Sequence, residues 1–475
     1  MEQIIGRKEE QALLGKIFMS GEPELVAVYG RRRVGKTFLI RNTFEKQLAF
    51  EFSGFHNASL DQQLENFSSA LSKAAGLRLA IPSSWIQAFD MLTSYLTPLI
   101  KKQRKIIFID EFPWVHTPRS GFLQAFENFW NMWASRQKNL VVVICGSAAA
   151  WMINNIVNNR GGLHNRVTRK LRLMPFTIGE TEGFLKERKI NLDKYQILQL
   201  YMVMGGIPQY LKEIQKGESA TQAIDRICFA KDGLLHEEFK NLFHSLFDNA
   251  RTHMDIIKAL ARKGMGMTRN EIIETCKLTS GGGTTQLLEE LTESGFITAY
   301  IPFDRTAKDS IYKLTDEYSH FYVKFMEAGK FKGIGSWVNY SAGTSWKSWS
   351  GTAFENICMK HIQQIKKALG VENVHTEVSM WRYKSVKDEQ GAQIDLLIDR
   401  QDLCINVCEM KFSINEYEIS KGYAKELESK LKVFRDNTKT KKTLFLTMVT
   451  THGVKNIASH MGLVQNEVKM DALFK

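Results

Sequence analysis

Eight residues, Gly30-Arg31-Arg32-Arg33-Val34-Gly35-Lys36-Thr37, carry the spacing G-x-x-x-x-G-K-[ST] of a phosphate-binding loop. The flanks agree with it. Leu25 to Tyr29 is an apolar run suited to a strand buried on both faces, and Phe38-Leu39-Ile40-Arg41 opens a helix. A strand, a glycine loop and a helix start direct backbone N–H groups and the positive end of the helix dipole at one spot. Gly30 and Gly35 are expected to let phosphate oxygens approach the backbone. Lys36 would reach the β- and γ-phosphates of ATP, and the Thr37 hydroxyl would ligate Mg²⁺. Arg31, Arg32, Arg33, Val34 and Phe38 complete the stretch expected to wrap the nucleotide. A chance glycine turn ahead of a helix is the competing reading, and the flanking pattern weighs against it.

Hydrolysis needs more than a cradle. Lys105 to Ile109 is an apolar strand that ends in Asp110 and Glu111. Asp110 can share the Mg²⁺ shell with Thr37, and Glu111 is placed to polarise the attacking water as a general base. A third apolar run, Leu140 to Gly146, ends at Ser147, a polar residue suited to sensing the γ-phosphate. Strand-ending serines are also common turn residues. Arg160, Arg166 and Arg169 cluster around a glycine-rich loop at 158–165. One of them, Arg166 being favoured, would serve as an arginine finger on a neighbouring subunit of a homo-oligomer; the other reading is solvated loop charge.

These residues need an open parallel sheet. Strands are predicted at Gln47–Phe55 and Val167–Phe176 besides the three above, alternating with helices, so the class is α/β with the site at the carboxyl ends of the strands. Four regions follow: a P-loop ATPase domain at 1–178, a helical lid at 179–250, a winged helix at 251–329 and an α/β domain at 345–475. The winged helix is read from three helical stretches and a hairpin at 295–314. Its third helix carries Glu289, Glu290 and Glu293 and no Lys or Arg, which favours packing or protein contact over reading a duplex. Between the last two regions, the tryptophans at 337, 346 and 349 suit a domain junction or a base-stacking platform.

The C-terminal region holds a second constellation. Asp395 lies within the strand-like run Gln393–Ile398. After a turn, Leu403–Lys411 ends in Glu409-Met410-Lys411, with Glu409 and Lys411 on one strand face. Carboxylates that converge repel unless a cation bridges them. An amphipathic helix is predicted from Gly351 to about Leu369, and Thr352-x-x-Glu355 reads equally as its capping box. Downstream, Lys421, Lys425, Lys430, Lys432 and Arg435 share a helical stretch, and Lys439, Lys441 and Lys442 form a basic turn. They suit a nucleic-acid backbone or a solvated face.

The chain resembles known groups at both ends. Ile5-Gly6-Arg7, the segment 29–37, Ile109 to Phe112, Cys145-Gly146-Ser147 and Gly205-Gly206-Ile207-Pro208-Gln209-Tyr210-Leu211 resemble the prokaryotic archaeal-type ATPases of the AAA+/STAND branch of P-loop NTPases. The resemblance implies that Gly6 and Arg7 lie near adenine and ribose, and that Gly206 and Pro208 belong to a lid closing over the base. The C-terminal pattern resembles the PD-(D/E)xK restriction-endonuclease-like fold often attached to such ATPases. That resemblance implies Glu355, Asp395 and Glu409 as carboxylates for Mg²⁺ or Mn²⁺, and Lys411 as the group that orients water. The implied function is an ATP-dependent, DNA-directed metal nuclease or DNA-processing ATPase. The alternative is a signalling switch whose C-terminal domain binds a partner or nucleic acid without cutting.

Composition sets the frame. A formal net charge of +13 favours a polyanionic partner. Six cysteines without a CxxC pair suggest reduced thiols in a cytoplasmic protein. The first residues are too polar for a signal peptide and no apolar run approaches a membrane span.

Overall fold

A computed structural model describes the chain except for residues 1, 2, 159, 160, 164, 248, 328–332, 334, 342, 384–390 and 461. Arg160 therefore lies outside the described residues. The chain forms two compact units. The first comprises Met1–Pro175 with Glu289–Gly295, and the second Phe176–Leu288 with Phe296–Lys475.

In the first unit, β1 (Glu24–Tyr29), β2 (Leu48–Ser53), β3 (Lys105–Asp110), β4 (Leu140–Gly146) and β5 (Arg169–Arg172) form a parallel sheet in the order β2-β3-β4-β1-β5. Strands β1, β3 and β4 are almost wholly buried, which is why their sequences run apolar without alternation. The helices Leu60–Ala75, Trp85–Ile100 and Phe122–Met132 supply an aromatic core in which Trp85 meets Phe67, Phe89 and Phe122. The edge strands β2 and β5 are shorter than the sequence suggests. Each has one neighbour, and β5 pairs only with the four residues Val26–Tyr29 of β1. The order matters for chemistry. Strand β4 lies between β1 and β3, so the carboxyl ends carrying the glycine loop, Ser147 and Asp110-Glu111 lie side by side.

The second unit opens with helices, among them Ile178–Glu187 and Lys194–Met204. Gly206 has no room for a side chain, because a Cβ there would overlap the Phe176 carbonyl oxygen. The Phe176 amide donates to Gly206 O at 2.7 Å, closing that contact. Next come the helices Ala250–Lys263 and Arg269–Cys276 and the helix Gly282–Glu293, whose residues from Glu289 on are counted with the first unit, and then β6 (Met267–Thr268), β7 (Ile297–Tyr300) and β8 (Ile311–Leu314) in an antiparallel sheet ordered β6-β8-β7. This is the element order of a winged helix. The segment between β7 and β8 is engaged within the unit. Phe303 donates its amide to Met380 O at 2.7 Å and sets its ring edge-on to Phe434 at 5.3 Å.

The remainder is a helix at Thr344–Lys360, an antiparallel meander of β9 (Thr376–Tyr383), β10 (Ala392–Arg400) and β11 (Cys404–Lys411), a helix at Lys421–Thr438, then β12 (Thr443–Thr450) and β13 (Asn466–Lys469). The order is β13-β12-β11-β10-β9, and β12 runs parallel to β11. The helix bearing Glu355 begins at Thr344 rather than at Gly351, with Gly343 as its N-cap. Thr352 is therefore mid-helix, and the capping-box alternative for Glu355 is not realised. The missed turn lies among tryptophans that propensity alone does not mark as helical; packing decides it. Trp337, Trp346 and Trp349 are buried with Phe321 and Phe325. That fits a junction anchor and removes the stacking platform. Trp337→Ala is expected to cost about 3–5 kcal/mol, read as a lowered midpoint in chemical denaturation of the full chain.

Candidate functional site

The nucleotide loop is closed on itself by short contacts. Lys36 Nζ donates to the carbonyls of Gly30 at 3.0 Å and Arg31 at 2.8 Å, and is almost fully buried. Glycine at position 30 is also required by the fold, where its φ is +141°. A Cβ there would overlap the Leu173 carbonyl, so the residue makes room for the chain beyond β5. Arg7, buried, donates through Nη2 to Val34 O at 3.2 Å and pairs with Glu10 at 3.4 Å. Gly6-Arg7 thus lies against the loop.

Thr37 Oγ1 donates to Asp110 Oδ2 at 2.7 Å across the sheet edge. A hydroxyl and a carboxylate side by side at a phosphate loop are a hard-oxygen donor set, and they fit Mg²⁺. Glu111 has a positive φ of 45°. Ser147 donates to it twice, from Oγ to Oε1 at 2.9 Å and from the backbone amide to Oε2 at 3.3 Å. The serine expected to sense phosphate therefore holds the carboxylate expected to act as general base. Arg166 is exposed on the loop before β5. Arg169, within β5, is paired at 3.8 Å with the buried Glu24. Pro208 is the first residue of a short helical turn to Leu211, in the second unit.

The C-terminal acids lie where β10, β11 and two helices meet. Between Ile394, paired with Trp381, and Leu397, paired with Ser379, two residues of β10 oppose one of β9. Asp395 sits in that bulge, a device that redirects a side chain. Gln393 Nε2 donates to Asp395 Oδ1 at 2.6 Å, and Lys313 Nζ of β8 reaches the same oxygen at 3.5 Å. Glu409 accepts from Tyr423 Oη and Lys430 Nζ, each at 2.7 Å, and pairs with Lys411 at 2.9 Å. Burial pushes the Glu409 carboxyl up, but Lys430 and Lys411 outweigh it and hold the group below the usual range. Burial pulls Lys411 down, and Glu409 more than offsets that, so the lysine titrates above its ordinary value.

Glu355 behaves in the opposite sense. Desolvation, then the charge of Asp395, with a smaller push from Glu409, raises its carboxyl to about 7 against the pull of Lys313 and Lys411. The four expected residues thus share one electrostatic neighbourhood. They do not converge as far as the sequence pattern suggests. Among the described residues, no group of three or more His, Cys, Asp or Glu side chains forms a metal-holding cluster. The reason is visible at Glu409, whose two oxygens are taken by lysine and tyrosine donors.

Sequence reasoning missed three of these groups as members of the site. Tyr423 and Lys430 are seven residues apart, one helix face, and that spacing was a usable signal. Lys313 lies 82 residues before Asp395, and nothing local marks it. Lys430 leaves the basic face on which it was counted. Lys442 also leaves the basic turn, since it pairs with Asp399 at 2.5 Å. Lys421, Lys425, Lys432, Arg435, Lys439 and Lys441 stay exposed. No helix among the described residues is long and apolar enough to cross a membrane.

Comparison with known proteins bears on the first site. Residues 5–214 match the family model described as an ATPase domain predominantly from Archaea, and this part of the chain is an ATPase domain of that type. Across 83% of both chains, the protein is 22% identical to the uncharacterized protein MJECL04 of Methanocaldococcus jannaschii. Among solved structures it is similar to the Walker-type ATPase PABY2304 of Pyrococcus abyssi, at 17% identity and a TM-score of 0.48, over 68% of this chain and 97% of that one. It is also similar to the Aeropyrum pernix ORC2 protein, at 16% identity and a TM-score of 0.45, over 68% of this chain and 93% of that one.

Two outcomes are expected. Lys36→Ala should lose nucleotide binding, whereas Glu111→Gln should keep it and lose hydrolysis by about 10²–10⁴-fold, both read by nucleotide titration and phosphate release. Because the Glu355 carboxyl is raised, the folded chain keeps its proton between pH 4.5 and about 7 while the unfolded chain gives it up. Stability should therefore fall as pH rises through that window, by at most about 3 kcal/mol, and Glu355→Gln should flatten the curve in denaturation series at several pH values.

Proposed function

From an ATPase domain at residues 5–214, we propose that this chain is an ATP-hydrolysing, AAA+-type machine. On this reading its C-terminal domain cuts nucleic acid, most simply DNA, with a divalent metal ion. In the first site the glycine loop and Lys36 bind the phosphates, and Glu111 takes the proton of the attacking water. Hydrolysis requires Glu111 to exchange the Ser147 donors for that water, so the serine couples the base to the state of the site. Thr37 and Asp110 would hold Mg²⁺, which supplies neutralisation of charge on the phosphates. Arg166, exposed, is available to a neighbouring subunit as an arginine finger. Gly6 and Arg7 would lie near the base.

The observation that carries the nuclease reading is Glu355, half-buried and raised to about 7 first by burial and then by Asp395. Placing two acids where each destabilises the other costs energy, and a bound cation repays it. Carboxylate oxygens suit Mg²⁺ or Mn²⁺, and Asp395, Glu355 and Glu409 would hold the ion only by drawing closer together than they stand, with Glu409 giving up lysine and tyrosine donors. The order helix, three-strand meander, helix, parallel strand supports the restriction-endonuclease-like reading, as does the bulge at Asp395. Lys411 would orient the water that attacks phosphorus. The exposed cations of the Lys421–Thr438 helix would follow the phosphate backbone.

A second reading is favoured by one specific observation. Glu409 is already held by Lys411, Lys430 and Tyr423. A site satisfied in this way suits a STAND-like switch whose C-terminal domain binds without cutting.

Supercoiled, linear and branched DNA incubated with Mg²⁺ or Mn²⁺, with and without ATP, separates the two. Cleavage that disappears in Asp395→Asn and Lys411→Ala while ATP hydrolysis persists supports the nuclease. No cleavage of any of these substrates leaves the switch.

A further inference from the structure

Lys313 is a buried lysine with no part in the chemistry described so far. It lies in β8, opposite Thr298 of β7, and its side chain is 4% exposed against 25% for Asp395. Its ammonium approaches Asp395 Oδ1 at 3.5 Å. Lys411 and Lys430 are both engaged with Glu409, so the ion pair seen at Asp395 is the one from the winged helix.

The placement is fixed from both sides. The residue after Lys313, Leu314, accepts a hydrogen bond at 3.0 Å through its carbonyl from Asn356 Nδ2, the residue after Glu355. That bond staples the strand carrying the cation to the helix carrying the acid. Phe303, in the segment between β7 and β8, is tied to β9 through Met380. A lysine this buried requires anions, and crowded carboxylates require a cation.

We propose that Lys313 is a resident counter-cation of the C-terminal acidic site. Supplied by the winged helix, it lowers the affinity of that site for a divalent metal ion. The proposal rests on the metal-site reading above. A tethered ammonium and a divalent ion would serve the same carboxylates, and like charges a few ångströms apart in a half-buried place repel strongly. Metal affinity then depends on where β8 sits, which gives the winged helix a function that needs no contact with DNA.

The test is a Mn²⁺ titration of the nucleotide-free full chain, followed by the electron paramagnetic resonance signal of free Mn²⁺. An Asp110→Asn background removes the contribution of the ATP site. Lys313→Met and Lys313→Gln should each bind Mn²⁺ tighter than the parent by about tenfold or more, and Lys313→Arg, which keeps the charge, should stay near the parent. Should Lys313→Met fail to fold, Lys313→Gln carries the comparison. Adding Asp395→Asn should abolish the tightened site. If Met and Gln bind no tighter while Asp395→Asn still weakens binding, the counter-cation role is wrong and the metal site stands. If Asp395→Asn changes nothing, or no variant binds Mn²⁺, the metal-site reading itself fails and this inference with it.

Discussion

Burial first, and then the charge of Asp395, push the Glu355 carboxyl up to about 7, and several elements of the second unit meet around these two acids. The Glu355 helix is pinned through Asn356 to the end of β8. Asp395 is turned by a bulge and steadied by Gln393. Three lysines from three elements, β8, β11 and the Lys421–Thr438 helix, surround the acids. Without those cations the acids would protonate or move apart, because an unpaired buried charge costs several kcal/mol. The winged-helix strands and the C-terminal sheet are thus bound by charge as well as by the Phe303 contact.

The first unit meets a related problem by another route. Asp110 and Glu111 are neighbours in sequence at the end of a buried strand, and the side chains that donate to them are neutral. The backbone of Glu111 is left-handed, and the two carboxylates take different partners. One then accepts from Thr37 and the other from Ser147. Neutral donors of this kind can be exchanged for metal or water at a cost of about 1.5–3 kcal/mol per hydrogen bond to the charged group, less than that of breaking a buried ion pair. The strand order makes it possible, because β4 brings Ser147 between the other two strand ends.

How far this was legible follows from distance along the chain. The loop at 30–37, the acids at 110–111 and Ser147 are each short patterns next to an apolar strand, so type and position could be read together. Helices and strands between residues 250 and 314 were legible for the same reason: their boundaries carry local signals, such as the capping box Thr268–Glu271. The partner of Glu111 and the role of Gly30 were not, since both depend on which strand lies beside which. A Cβ at position 30 would meet Leu173, a neighbour only in the folded sheet. The helix start at Thr344 was missed because tryptophans carry no start signal, and their burial in an aromatic cluster decides it. Lys313 was invisible for the simplest reason: an isolated lysine in a short strand looks like surface until its burial is known.

The Lys421–Thr438 helix shows why a count of basic residues is a poor guide to a binding face. Its inner side presents Tyr423 and Lys430 to Glu409, and its outer side carries Lys421, Lys425, Lys432 and Arg435 into solvent. The two sets differ in what salt can do to them. The Lys430–Glu409 pair is mostly shielded and changes little with ionic strength, whereas exposed cations are screened within about 10 Å at 0.1 M. A polyanion held by the outer side would therefore be released by salt while the acidic site behind the helix kept its internal pairing. Binding and the arrangement of the acids are separable properties of a single helix, and that separation follows from its seven-residue periodicity.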